Sequence, residues 1–315
     1  MPGRYGVATA VAVWLLLQSA AALAVTPEVL QPAERVVLYE AYELAAALNP
    51  WERIAGISTY ARENDLLQRL LPGLQAIPTP GSGFVINIEA LLALKTDLVV
   101  TWSRKPESVE FLRRHGIAVL EIYPESIADL LAVLQQLGQV LDRQPRAAEV
   151  AGLIRHHLTA VQQYHQQRLA AAAPPRVVWL WGKPTTINGN RGVTADLIRI
   201  AGGRNLGDHI NGLNRDISME EMVALDPEVV LIWGSAVFDP ETLYRDPKWQ
   251  SISAVKNRRI FKLPRQSTWS PRVVDLAWLM LRSFYPGEVI SEELAVTMDG
   301  FYQAVFGIPW PGESK

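Results

Sequence analysis

Two segments of this chain are degenerate copies of each other, and this repeat constrains the fold more than any other feature. They read NIEALLALKTDLVVTW from Asn87 and SMEEMVALDPEVVLIW from Ser218. Each begins with a helix-capping residue, continues through an apolar helical turn, breaks at Lys-Thr or Asp-Pro, and ends as a buried strand. The copies start 131 residues apart, whereas solenoid repeats have periods of roughly 20 to 50 residues. The repeat therefore predicts two similar lobes.

Strands and helices alternate around both copies. RVVLYEAY from Arg35 and RVVWLWGKP from Arg176 each predict a strand that opens a lobe, and such alternation indicates parallel sheets. Between them lies a long helical segment that is punctuated by Pro145 and ended by Pro174. We predict an α/β fold of two Rossmann-like lobes with parallel sheets joined by one long α-helix. The predicted first lobe spans 27–143, the linking helix 145–173 and the second lobe 174–315.

The amino terminus and the composition indicate an exported protein. Residues 1–24 contain an arginine, a short apolar run and small residues up to Ala24, a pattern typical of a cleavable secretory signal peptide. The chain has no cysteine, which excludes disulfides, cysteine-based zinc sites and a lipidated cysteine anchor. A formal net charge of -2 argues against nucleic-acid binding. We expect a soluble periplasmic monomer without a lipid anchor.

Aromatic residues lie at or near the predicted carboxyl ends of the strands, where open α/β sheets bind their ligands. They are Tyr42, Tyr60, Phe84, Trp102, Trp181, Trp233 and Trp269. One interpretation is that they seal the two lobes against each other. The other is that they line a ligand cleft with flat apolar surfaces.

Three cations lie next to these aromatics along the chain: Arg104, Lys183 and Arg265. Such side chains can hold an anionic ligand, although an exposed cation in a loop is more often simply solvated. We include all three in the predicted ligand-binding set.

The histidines and glycines do not form a recognisable catalytic or metal-binding pattern. His156 and His157 are neighbours on the predicted linking helix, where adjacent positions do not face the same way. The glycine-rich segments at 81–83 and 202–207 lack the phosphate-loop pattern. We predict no metal site, no catalytic residue and no cofactor.

Each copy of the repeat places a glutamate in the first turn of its helix, Glu89 in one and Glu220 in the other. An acid there complements the helix dipole, which would be a structural role. In the second copy, however, Glu221 occupies the capping-box position three residues after Ser218, so Glu220 is not needed for capping. The repetition itself favours a functional role.

At this point the chain resembles the periplasmic binding proteins of ABC importers for ferric siderophores, haem and cobalamin, the group with one rigid helix between two lobes. The segments that carry the resemblance are RVVLYEAY, NIEALLALKTDLVV, SMEEMVALDPEVVLIW and TWSPRVVDLAWLM. Thr96 departs from the pattern, because a proline is usual there. The resemblance implies that Glu89 and Glu220 dock onto arginines of a permease dimer in the inner membrane.

The resemblance also implies that the protein captures an iron chelate of the siderophore type, or a corrinoid, and performs no chemistry. A haem or an oxyanion such as molybdate is an alternative ligand within the same fold. A free metal ion is disfavoured by the few histidines. An exported enzyme that uses the same cleft is a further alternative.

Overall fold

The computed structural model describes residues 31–102, 106–169 and 171–312. The predicted signal peptide at 1–24 and the predicted ligand residue Arg104 lie outside these ranges. In the first lobe, strands and helices alternate in the order β1 (Val36–Leu38), α1 (Tyr42–Leu48), β2 (Ile54–Ile57), α2 (Asp65–Leu70), α3 (Ile88–Ala93), β3 (Leu98–Trp102), α4 (Pro106–Arg114), β4 (Ala118–Ile122) and α5 (Ile127–Val140).

The first sheet is entirely parallel, with the strand order β2-β1-β3-β4. Its central strand β1 pairs with β3 in the register Val36 to Leu98. All three residues of β1 are buried, as expected for a parallel sheet covered by helices on its faces.

The second lobe contains β5 (Arg176–Leu180), β6 (Thr186–Asn188), α7 (Val193–Ile200), β7 (Arg204–Asn205), β8 (Asn214–Asp216), α8 (Met219–Leu225), β9 (Val229–Ile232), α9 (Pro240–Arg245), α10 (Ser253–Lys256), β10 (Ile260–Lys262), α11 (Val273–Phe284) and α12 (Ser291–Phe306). Its sheet has the order β10-β9-β5-β6-β8, with β7 also paired to β5. The parallel run β5, β9 and β10 corresponds to β1, β3 and β4 of the first lobe. The two lobes therefore share the order of their central strands.

The repeat extends to individual hydrogen bonds. At the start of β3, the Asp97 carboxylate accepts from the backbone N–H of Arg35 at 3.1 Å. At the start of β9, the Glu228 carboxylate accepts from the backbone N–H of Arg176 at 2.8 Å. Each acid thus ties the start of its strand to the segment that opens the lobe, which explains why an acid recurs at this position.

The second sheet differs from the prediction of purely parallel strands, because β6 and β8 are antiparallel to their neighbours. β5 ends at Leu180 and β6 begins at Thr186, and the N–H of Thr186 donates to the carbonyl of Lys183 across the turn. A parallel crossover needs a dozen or more residues, so this short connection permits only a hairpin.

One long helical segment joins the lobes. The helix α6 (Gln144–Tyr164) continues through a wider π-helical turn over His165–Leu169, and together they span roughly 39 Å at 1.5 Å per residue. Pro145 lies in the first turn of α6, where a missing N–H costs nothing. α6 packs against α1 and α5 of the first lobe and against α7, α11 and α12 of the second.

The predicted fold class, two α/β lobes joined by one long helix, is confirmed. The exact lobe limits stay predictions. Within the described ranges, no helix is both long and apolar enough to span a membrane.

Candidate functional site

A cleft of about 530 Å³ lies between the two lobes, within the size range of small-molecule sites. Residues that follow β1, β5, β9 and β10 line it, including Glu40, Trp181, Trp233 and Arg265. The carboxyl ends of parallel strands from both lobes thus open onto one space. This is where open α/β sheets bind ligands.

Five of the predicted ligand residues line this cleft: Tyr42, Tyr60, Trp181, Trp233 and Arg265. The rings of Trp181 and Trp233 lie with centroids 5.6 Å apart and form an aromatic wall on the second lobe. Burial, and then the nearby charges of Glu43 and Glu40, raise the pKa of Tyr42, so its phenol stays protonated and can donate a hydrogen bond.

The other predicted aromatics form a separate cluster that bridges the lobes. Trp102 packs edge-on against Phe84, with ring centroids 4.8 Å apart, and lies 6.3 Å from Trp269 of the second lobe. Trp269 in turn contacts Tyr123 at 5.5 Å. The structure therefore divides the predicted aromatic set into a cleft wall and this interlobe cluster. A ligand contact by Phe84, Trp102 or Trp269 stays a prediction.

Gly83 connects the cluster to the cleft. A Cβ at this position would lie 2.8 Å from the indole Nε1 of Trp102 and 3.1 Å from Oε1 of Glu40. A side chain at position 83 would therefore displace the Trp102 indole and crowd the Glu40 carboxylate. Glycine lets the backbone approach both groups without moving them.

The two described cations of the predicted set have different surroundings. Lys183 is largely exposed, and its Nζ lies 3.1 Å from the carboxylate of Asp216. Arg265 lines the cleft and lies 3.8 Å from the carboxylate of Glu63, with both side chains exposed. Exposed pairs of this kind contribute little to stability, so Arg265 can exchange Glu63 for a ligand at small cost.

A buried ionic cluster that the sequence did not predict joins the lobes beneath the cleft. The Arg272 guanidinium donates to both oxygens of Glu43 at 2.8 and 2.9 Å and to both oxygens of Asp65 at 2.7 and 2.9 Å. Arg272 is 3% exposed and Glu43 is 1% exposed. Burial alone would lower the pKa of Arg272, but the charge and hydrogen bonds of Glu43 raise it. The sequence signal for this residue was the TWSPR motif, in which Arg272 is the last residue.

Two further carboxyl groups line the cleft and were also missed. Burial raises the pKa of Glu40 to about 7. Burial likewise raises the pKa of Asp275 to about 7. The Tyr302 hydroxyl donates a hydrogen bond to Oδ2 of Asp275 at 2.5 Å, and this bond lowers the pKa but does not cancel the effect of burial. The fold thus brings together in the cleft acids that are far apart along the chain.

The predicted docking residues lie on short helices. Glu89 and Glu220 are both exposed in the first turns of α3 and α8. The side chain of Ser218 accepts from the N–H of Glu221 at 3.1 Å, as predicted. The Glu221 carboxylate, however, contacts Arg215 and His209 in place of the backbone at Ser218. The Glu220 carboxylate accepts hydrogen bonds from its own backbone N–H and from the Ser218 hydroxyl, and these bonds lower the pKa of Glu220. Glu220 therefore takes part in the hydrogen bonding at the start of α8 while its side chain stays exposed.

Among the residues that the structure describes, no group of three or more His, Asp or Glu side chains could hold a metal ion.

Comparison with known proteins adds the family context. A family model described as periplasmic binding protein matches residues 36–267. Over 210 residues, the chain is 24% identical to the vitamin B12-binding protein of Yersinia pestis strain Pestoides F. The matched region covers 65% of this chain and 71% of that relative.

Solved structures of proteins with the same fold carry different bound solutes or are named for them. Helicobacter pylori CeuE with Ni(II) bound is 25% identical, with a TM-score of 0.78, over 89% of this chain and 92% of that one. Haemophilus influenzae MolA bound to molybdate is 18% identical, with a TM-score of 0.74, over 90% and 95% of the two chains. A periplasmic heme-binding protein from Pseudomonas aeruginosa is 21% identical, with a TM-score of 0.69, over 81% and 94%.

Proposed function

Because this chain belongs to the periplasmic binding protein family, we propose that it is the solute-binding component of an ABC importer. It captures a bulky metal chelate, either a corrinoid or an iron siderophore, in the cleft between its lobes. It then delivers this ligand to a permease dimer in the inner membrane and performs no chemistry. The observation that carries the proposal is the aromatic cleft where the strands of both lobes end.

The charge of the cleft favours some ligands over others. Among the described residues, five carboxyl side chains line it, Glu40, Glu43, Glu63, Asp65 and Asp275, against two arginines. Arg272 already binds two of these carboxylates. Small oxyanions require unengaged cations or N–H groups, so this lining supports a ligand that brings hydrogen-bond donors. A corrinoid carries amide groups at its periphery, and the B12-binding relatives agree with this class.

The exported-enzyme alternative would need a base and a partner group free to act on a substrate. Glu43 and Asp65 hold Arg272, and Asp275 accepts from Tyr302. These contacts give three of the five carboxyl groups structural partners. They support a binding role for the cleft.

Export and delivery follow the same proposal. Residues 1–24 act as a cleavable signal peptide that sends the chain to the periplasm as a monomer without a lipid anchor. Glu89 and Glu220, exposed on equivalent helices of the two lobes, make the contacts with the permease.

The first experiment is a titration of intrinsic tryptophan fluorescence with cyanocobalamin, ferrioxamine, haem and molybdate. Absorption of light by each ligand is corrected with N-acetyltryptophanamide. Because Trp181 and Trp233 line the cleft, we expect saturable quenching by one chelate at micromolar or lower concentration.

Replacing Trp181 and Trp233 by phenylalanine should remove most of that quenching. Trp51→Phe serves as the matched control, because Trp51 lies outside the cleft and lines a separate pocket with Arg69 and Arg146. Saturable binding of molybdate with no response to any chelate would contradict the proposed ligand class. Equal loss of quenching in the Trp51 variant would contradict the proposed site.

A further inference from the structure

The helices α3 and α8 expose the same three positions of the repeat. In α3 the exposed residues are Glu89, Leu92 and Ala93, and in α8 they are Glu220, Val223 and Ala224. The residues that each helix buries also correspond, Leu91 in the first and Met222 in the second. The burial pattern is identical over 87–94 and 218–225.

Matching local contacts hold both helices in this orientation. The side chain of Asn87 accepts from the N–H of Ala90 at 3.0 Å, as Ser218 does in the second copy. Lys95 and Asp226, each just after its helix, adopt the left-handed conformation with φ of 53° and 41°. The two exposed surfaces are therefore fixed by the fold and are equivalent between the lobes.

Two aliphatic side chains at these positions need an explanation. Leu92 is 48% exposed and Val223 is 39% exposed. Single exposed aliphatics are ordinary on a protein surface. Here, however, an aliphatic residue lies one turn after a glutamate in both lobes, with a small alanine beside it. The same combination of glutamate, aliphatic residue and alanine is thus exposed at equivalent positions of the repeat.

We propose that Leu92 and Val223 are the apolar half of a docking surface of which Glu89 and Glu220 are the charged half. Its occupant is a partner with two equivalent subunits, and each subunit presents a cationic side chain beside an apolar depression. The inference rests on the proposed function, in which the partner is the permease dimer. The glutamates steer the encounter by charge complementarity, and the aliphatic contacts slow dissociation by removing apolar surface from water.

The alanines fit the same interface. Ala93 and Ala224 are exposed and small, so they allow the partner's backbone to approach each helix closely beside the aliphatic contact. A large exposed residue at either position would hold the partner away from Leu92 or Val223.

The first test is site-specific photo-crosslinking in the native host. The photoreactive residue p-benzoylphenylalanine replaces Leu92, Val223 or, as a control, Val296, which is 76% exposed on α12. Positions 92 and 223 should both crosslink to one and the same membrane polypeptide, and position 296 should not. Both crosslinks should disappear when Glu89 and Glu220 are replaced by arginine. Crosslinks to unrelated proteins, or yields unaffected by the arginine substitutions, would overturn the inference.

The second test removes the apolar surface without weakening the helices. Glutamine at positions 92 and 223 keeps a good helix-forming side chain, and we expect uptake of cyanocobalamin or ferrioxamine, whichever quenches fluorescence, to fall about tenfold or more. Ligand affinity should not change. The matched control, Ile290→Gln with Val296→Gln, removes aliphatic surface of similar exposure from α12 and its start and should retain normal uptake.

The outcomes separate this inference from the function on which it rests. If Glu89→Arg with Glu220→Arg abolishes uptake while the glutamine variant transports normally, the docking role stands and the apolar inference fails. If the arginine variant also transports normally, the proposed docking itself fails.

Discussion

Replacing Arg272 by methionine should lower the free energy of unfolding by about 3 to 5 kcal/mol, because it leaves a buried carboxylate without its counter-charge. The magnitude follows from burial. Glu43 is 1% exposed and would keep only the hydrogen bond from the Asn64 side chain, at 2.7 Å. Asp65 is about half exposed and regains water when the arginine is lost, so it contributes little to the cost.

The assay is equilibrium unfolding in urea, followed by circular dichroism, with thermal unfolding as a second measure. For a protein of this size, each kcal/mol corresponds to about 2 to 4 °C in Tm, so Arg272→Met should lower Tm by roughly 6 to 20 °C. Arg272 binds α1 and α2 of the first lobe from the start of α11 in the second. Both lobes should therefore lose stability together.

The double variant Arg272→Met with Glu43→Gln tests the cause. Glutamine at position 43 is neutral, so the loss of Arg272 leaves no unpaired buried charge. Its side-chain carbonyl can still accept a hydrogen bond from Asn64. We expect the double variant to be more stable than Arg272→Met alone by about 2 kcal/mol, the coupling typical of residues in one network. Equal destabilisation in both variants, or a cost below about 1 kcal/mol for Arg272→Met, would refute the role assigned to this cluster.

Three further predictions concern pH and docking. Because burial raises the pKa of Asp275 from 3.8 to about 7, the folded state holds this proton more tightly, and stability should fall as pH rises from about 4 to 7. Asp275→Asn should flatten this slope in urea unfolding between about pH 4 and 7, and an unchanged slope would contradict the assignment. Burial raises the pKa of Glu40 to about 7, so its carboxylate forms between pH 6 and 8 and can then accept hydrogen bonds from the amides of the ligand. The affinity for cyanocobalamin should therefore increase from pH 6 to 8 in the fluorescence titration. Glu40→Gln should bind cyanocobalamin with little pH dependence. Glu89→Arg with Glu220→Arg should abolish uptake but leave the affinity for ligand intact, and a loss of affinity would count against docking.

The local structure of this protein could be predicted from the sequence because short-range physics determines it. The repeat at Asn87 and Ser218 predicted two lobes with the same helix, turn and strand, and the structure contains both. Capping side chains and the break at each helix end act within a few residues. The limits of the helices can therefore be predicted from the sequence even where the two copies share few identical residues. The positions of Tyr42, Trp181 and Trp233 at strand ends likewise followed from strand direction and the general location of sites in α/β sheets.

Only the tertiary structure decided which of these residues meet. Glu43 and Arg272 lie 229 positions apart, and no local pattern couples them; their ion pair exists because the two lobes pack together. The same packing separated Trp102 and Trp269 from the cleft wall and paired them across the lobes. It also gave Glu40 and Asp275 their raised pKa, since desolvation depends on what surrounds a carboxyl group in space. Sequence thus determined the repeated helix, turn and strand and the two-lobe order, while the antiparallel strands β6 and β8 and the acidic chemistry of the cleft depended on the tertiary structure.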